Sequence, residues 1–134
     1  MRKLETMLLA GLGVSLLTTA NAADMVVIIN PSATAPSKDE ISNVYLGKSL
    51  TFTPVDLPES SPDYAEFYHK LTGRDASQIK ALRMRLVFTG QGQQPKSLAD
   101  ATAVKKAVTS NPKTIGYIEK SEVDSSVKVA LPLG

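Results

Sequence analysis

The stretch DMVVIIN, residues 24 to 30, limits the possible folds more than any other part of the chain. An amphipathic helix would break such a run with polar residues every few positions, and a half-wet strand would alternate. A short, continuous, β-branched apolar run stopped by Asn30-Pro31 instead predicts a strand buried on both faces. Such a strand belongs in the middle of a sheet.

Upstream of it, Arg2 and Lys3 precede an apolar stretch from Met7 to Thr18 and then Ala20-Asn21-Ala22. A charged start, a short apolar core and a small-x-small site predict a secretory signal peptide over residues 1–22, cleaved after Ala22. The expected location is periplasmic, with no membrane insertion after cleavage, because no later segment is long and apolar enough to span a bilayer. The mature portion, residues 23–134, is the size of one ordinary domain.

The formal net charge of the 134-residue chain is +2 and falls by one when Arg2, Lys3 and Glu5 leave. That balance gives no long-range attraction to nucleic acid. There is no cysteine and only one histidine, His69, so disulfides, thiol chemistry and cysteine or histidine metal clusters are excluded, and no metal or cofactor is expected.

Ser37 stands three residues before Glu40, ahead of Ile41, Val44 and Tyr45 at helical intervals, with Gly47 beyond, and predicts a helix over 38–46. Residues 53–57 (TPVDL) read as a brief strand whose proline suits its start or an edge. Ser61 then caps a second helix with Pro62 in its first turn, Tyr64, Phe67, Tyr68 and Leu71 on one face and Gly73 at its end. Asp75 and Gln78 have capping-box spacing and open a third helix whose expected buried stripe is Ile79, Leu82 and Leu86. A loop from Thr89 to Ser97, a fourth helix from Leu98 to Ser110 and strands over 114–118 and 127–131 complete the chain. Alternating strands and helices imply one α/β domain with a mixed or parallel sheet flanked by helices.

Thr89-Gly90-Gln91-Gly92 has the look of a phosphate-binding loop. It comes after a helix, however, lacks the terminal Gly-Lys-Ser/Thr of a P-loop, and has no third glycine at Rossmann spacing. It reads as a helix-ending turn, with Gly90 and Gly92 as candidates for left-handed backbone.

Taken together, RLVFTGQGQQP, VTSNPKTIGYIEKS and VKVAL, with EISNVYLGKSLTFTPVDLPESSPDYAEFYHKLTG upstream, resemble small periplasmic proteins related to the phosphate-binding component of phosphate ABC importers. The resemblance covers nearly all of residues 23–134. It implies the type II periplasmic-binding-protein fold, with room for a single lobe, and a phosphate or other oxyanion as ligand. It also implies an ABC permease or a second binding lobe as partner. Full-length receptors of that kind carry an arginine followed four residues later by Ser-Gly-Thr. Here the arginine position holds Leu57 and the triplet reads Ser61-Pro62-Asp63. Losing a guanidinium removes a bidentate partner, and Asp63 adds like charge near an anion.

The candidate anion site is therefore the Ser60-Ser61 turn, where a helix N-terminus and two hydroxyls meet. Ser32, with Thr34, is a second candidate, since ligands in open α/β sheets favour the carboxyl ends of central strands; Lys48 would supply positive charge. The leading expectation is a solute-binding module that works without catalysis. The alternative is a protein-interaction module derived from a binding-protein lobe. An enzyme built on His69 is the least favoured reading, because His69 lies beside the aromatic stripe with no orienting partner evident in the sequence.

Overall fold

The computed structural model describes residues 24–90 and 94–134. The expected leader at 1–22 and the turn residues Gln91 and Gly92 lie outside the described residues. The elements run β1 (Met25–Ile29), α1 (Lys38–Tyr45), β2 (Thr53–Asp56), α2 (Pro62–Thr72), α3 (Ala76–Phe88), β3 (Lys96–Ser97), α4 (Ala101–Ser110), β4 (Thr114–Glu119) and β5 (Lys128–Pro132).

All five strands form one mixed sheet in the order β3-β2-β4-β1-β5. β2 runs parallel to both β3 and β4, whereas β1 is antiparallel to β4 and β5. Every residue of β1 is buried, as the apolar run requires. Its register sets Met25 opposite Glu119 and Ile29 opposite Ile115, so β1 ends where β4 begins.

Side chains alternate across β4, and this alternation sets the layers. On one face Gly116 admits α4: a Cβ there would stand 2.5 Å from a methyl of Val104 and 3.1 Å from one of Val55. On the other face Tyr117 stacks on Phe67 of α2, with ring centroids 3.6 Å apart. Tyr45 of α1 meets Phe67 edge-on and donates its hydroxyl to the Val55 carbonyl at 2.8 Å. α4 thus covers one side of the sheet, and α1 and α2 cover the other. Each fully buried aromatic or aliphatic side chain on α2 is worth about 1.5–3 kcal/mol of transfer free energy.

Helix ends obey local sequence closely. Ser37, Ser61 and Asp75 are N-caps, and the Asp75–Gln78 box is closed in both directions. The Ser37–Glu40 box is only half formed, because the Glu40 carboxylate turns to the hydroxyls of Ser49 and Thr51. Gly90 has φ 70° after α3, the left-handed turn expected there.

Three expectations change. α4 begins at Ala101, not Leu98, because Asp100 is its N-cap and accepts from Ala103 N–H at 2.9 Å. Lys96 and Ser97, expected in a loop, form the short edge strand β3, and Leu98 N–H prolongs the ladder to the Asp56 carbonyl at 2.8 Å. On α3 only Ile79 of the expected stripe is buried; Leu82 and Leu86 are half-buried. α3 packs against α2 and stands outside the layer that touches the sheet, so one neighbour covers one narrow face. Pro54 sits on an internal strand, yet β3 reaches only Val55 and Asp56, so the missing N–H interrupts no ladder on that side.

Candidate functional site

Because β2, β3 and β4 are parallel, their carboxyl ends share one edge, the usual ligand edge of an open α/β sheet. From there β2 passes through Leu57 to Ser60 and Ser61 and into α2, and β3 passes through Asp100 into α4. Two helix N-termini therefore open toward the same side.

Ser60 and Ser61 line a hollow of about 240 Å³ at this edge, together with Asp63, Asp100 and Glu122. The donors there are largely spoken for. Ser61 Oγ accepts from Asp63 N–H at 3.2 Å, the Ser61 carbonyl accepts from Tyr64 N–H at 3.1 Å, and Ser61 N–H donates to Pro58. Pro62 has no N–H to give. The two hydroxyl hydrogens and the field of the helix are left for a ligand.

The surroundings are acidic. Carboxylate oxygens of Asp63, Glu119 and Glu122 gather within 4.8 Å of one another beside the hollow. A hydrogen bond with Asp63 raises Glu119 above the usual carboxylate range, with smaller contributions from burial and from the charges of Asp63 and Glu122. Such a trio repels a free anion and attracts a cation or a cationic side chain. No sequence signal pointed to it, since it assembles only when α2 and the end of β4 meet.

Ser32 lies elsewhere. β1 is antiparallel, so its carboxyl end falls at the edge where β2 and β4 begin. There Asn30 Oδ1 accepts from both Ser32 N–H (2.9 Å) and Ser32 Oγ (2.8 Å), a closed local turn. The Asn30 amide donates to the carbonyls of Val108 and Thr109 at the C-terminal end of α4, the negative end of that helix. The fold brings Ser60 and Ser61 together and leaves Ser32 at the opposite edge. Lys48 and His69 are exposed.

The most heavily bonded polar group among the described residues was not anticipated. Asp56, the last residue of β2, accepts from Tyr68 Oη at 2.6 Å, from Tyr117 Oη, from Leu57 N–H at 3.0 Å and from Arg83 at 3.2 Å. Burial pushes its carboxyl above the ordinary range, against the opposing pull of Tyr117, Tyr68 and the Arg83 charge. The Arg83 guanidinium stands 4.9 Å from the Tyr68 ring centroid and also donates to Tyr64 Oη. This cluster ties α2, α3, β2 and β4 together directly behind the Ser60-Ser61 loop.

No protein-family model matches the chain, and no curated protein matches it. Among solved structures, an ABC-type phosphate transport receptor from Vibrio cholerae superposes with a TM-score of 0.61 at 17% identity, over 80% of this chain and 45% of the receptor. A putative phosphate ABC transporter substrate-binding protein from Clostridium perfringens, with bound phosphate, superposes with a TM-score of 0.62 at 17% identity. That match spans 80% of this chain and 44% of the other. The chain thus spans less than half the length of the structures it matches. It has the fold of a single lobe of a periplasmic binding protein.

Proposed function

We propose that this protein is an exported, periplasmic recognition module of the phosphate-receptor type, acting by binding and release and not by catalysis. Its ligand is phosphate or a related oxyanion, held at the Ser60-Ser61 end of α2. The observation that carries this reading is the lobe fold itself, with both serines and a helix N-terminus at the carboxyl edge of three parallel strands.

The same geometry makes the lobe half of a site. With Leu57 in place of a guanidinium and Asp63, Asp100 and Glu122 around the hollow, the cationic half comes from outside, from a second lobe or from an ABC permease. The ring of carboxylates that weakens free anion binding is complementary to such a cationic partner. Among the described residues no helix is long and apolar enough to cross a membrane, consistent with a module that meets its permease from outside the bilayer.

Calorimetric titration of the purified protein with phosphate, sulfate and small carboxylates tests this reading. Oxyanion binding no tighter than roughly micromolar to millimolar, about 4–8 kcal/mol, is expected for the lobe alone, with Ser61→Ala weakening it. No heat with any oxyanion, with or without added partner lobe, refutes the ligand. Mass spectrometry of the exported protein tests the leader, with Ala23 as the expected first residue.

A further inference from the structure

α3 carries no carboxylate anywhere along its length and presents an apolar stripe that stays exposed among the described residues. Lys80, Met84, Val87 and Phe88 recur at helical spacing and line one wall of a groove of about 350 Å³, whose other side includes Leu57 and Pro95. Phe88 is 83% exposed, and Val87 and Met84 are at least half exposed. Large apolar residues grouped along one helix face beside a concave wall are the form of a helix-docking groove.

The charges around the groove are asymmetric. Arg83 is already matched by Asp56, while Lys80, on the same wall of the groove, has no ion pair among the described residues. The carboxylate free to act on the groove, Glu59, lies on the β2–α2 loop side. An occupant that satisfies both sides has apolar anchors in the centre and carboxylates along the α3 side only.

We propose that the α3 groove docks an amphipathic helical segment of another protein, with apolar anchors seated against Met84, Val87 and Phe88 and an acidic flank facing Lys80. A second copy packed through its own α3 would set the basic side chains of the two helices against each other with no carboxylate on either helix. A flat bilayer would leave the concave wall unfilled. This surface lies on the other side of the β2–α2 loop from Ser61 and goes beyond the oxyanion reading.

The test is a fluorescence-anisotropy titration of the purified protein with a dye-labelled synthetic helix of about four turns. It carries leucine and phenylalanine on one face and glutamate along one flank; a control peptide carries lysine at the same flank. The acidic peptide is expected to bind and the lysine peptide to bind at least about tenfold more weakly. Phe88→Ser and Lys80→Glu should each weaken the acidic peptide by about tenfold while leaving the melting temperature unchanged, since both side chains are exposed. Phosphate should not displace the peptide, which separates this site from the oxyanion hollow. The proposal is overturned by equal binding of both peptides, by no binding of either, or by stronger retention on vesicles of phosphatidylcholine and phosphatidylserine. A dimer in sedimentation that Phe88→Ser dissolves would also overturn it, giving the groove to a second copy.

Discussion

Asp56 and Arg83, 27 residues apart in sequence, meet at 3.2 Å beneath three tyrosine hydroxyls. Both side chains are largely shielded, at 3% and 14% exposure, so each supplies the opposite charge that helps offset the other's lost hydration, beside the tyrosine hydroxyls. Removing one leaves a buried charge unpaired. Asp56→Leu or Arg83→Leu alone should therefore cost about 3–5 kcal/mol. The double replacement should cost clearly less than the sum, read from urea unfolding as a double-mutant cycle. Additive losses would mean that the two groups act independently.

The same carboxylate makes stability depend on pH. Asp56 is held above its ordinary value, chiefly by burial, so the folded state keeps its proton at pH values where the unfolded chain has released it. Its contribution to stability is full below the unfolded value of about 3.9 and is lost as pH rises through the raised folded value. Asp56→Asn removes this titration. The destabilisation caused by Asp56→Asn should therefore be larger near pH 4 than at neutral pH, measured by thermal unfolding at both. A penalty that grows toward neutral pH would show that Arg83 and the tyrosines outweigh burial and lower the carboxyl instead.

Gly116 tests the layer packing. Its φ is not left-handed; what requires glycine is the 2.5 Å approach of the Val104 methyl to the place a Cβ would occupy. Neither the strand nor the middle of α4 yields easily, so Gly116→Ala should lose about 1–3 kcal/mol through overpacking. Val104→Ala in the same background should recover part of that loss by making room. If the pair is no more stable than Gly116→Ala alone, the close contact is not the cause.

How much of this could be read from the sequence depended on how local the cause was. β1 was legible because its burial is written in five consecutive apolar residues, and α2 because Ser61, Pro62 and the Tyr64–Leu71 stripe each state part of the same helix. The closed Asp75–Gln78 box was equally local. β3 escaped because two residues hold no period. The Asp56–Arg83 pair escaped because it depends on α3 packing across α2, which no spacing encodes. Ser32 was put forward by a rule about strand ends, and that rule needs strand direction. β1 runs against its neighbour β4, which puts Ser32 and Ser61 at opposite edges.

Strand direction leaves Ser60 and Ser61 as the oxyanion candidates on the ligand edge, and the neighbouring carboxylates decide how strongly they act. Asp63 comes two residues after Ser61, shares a hydrogen bond with Glu119, and lines the same hollow. A negative charge about 4 Å from a bound anion costs about 1 kcal/mol in a water-like medium, roughly a fivefold loss of affinity, and more where water is excluded. Asp63→Asn should therefore raise phosphate affinity by about fivefold or more, against a small loss of helix stability from removing an acidic first-turn residue, about 0.3–1 kcal/mol. The gain should shrink at high salt, because the repulsion it removes is screened at this exposed edge. Calorimetric titration at low and high ionic strength reads both effects. An affinity indifferent to Asp63→Asn but lowered by neutralising Lys80 would move the anion to the α3 side of the loop and end the claim of Ser61 to it.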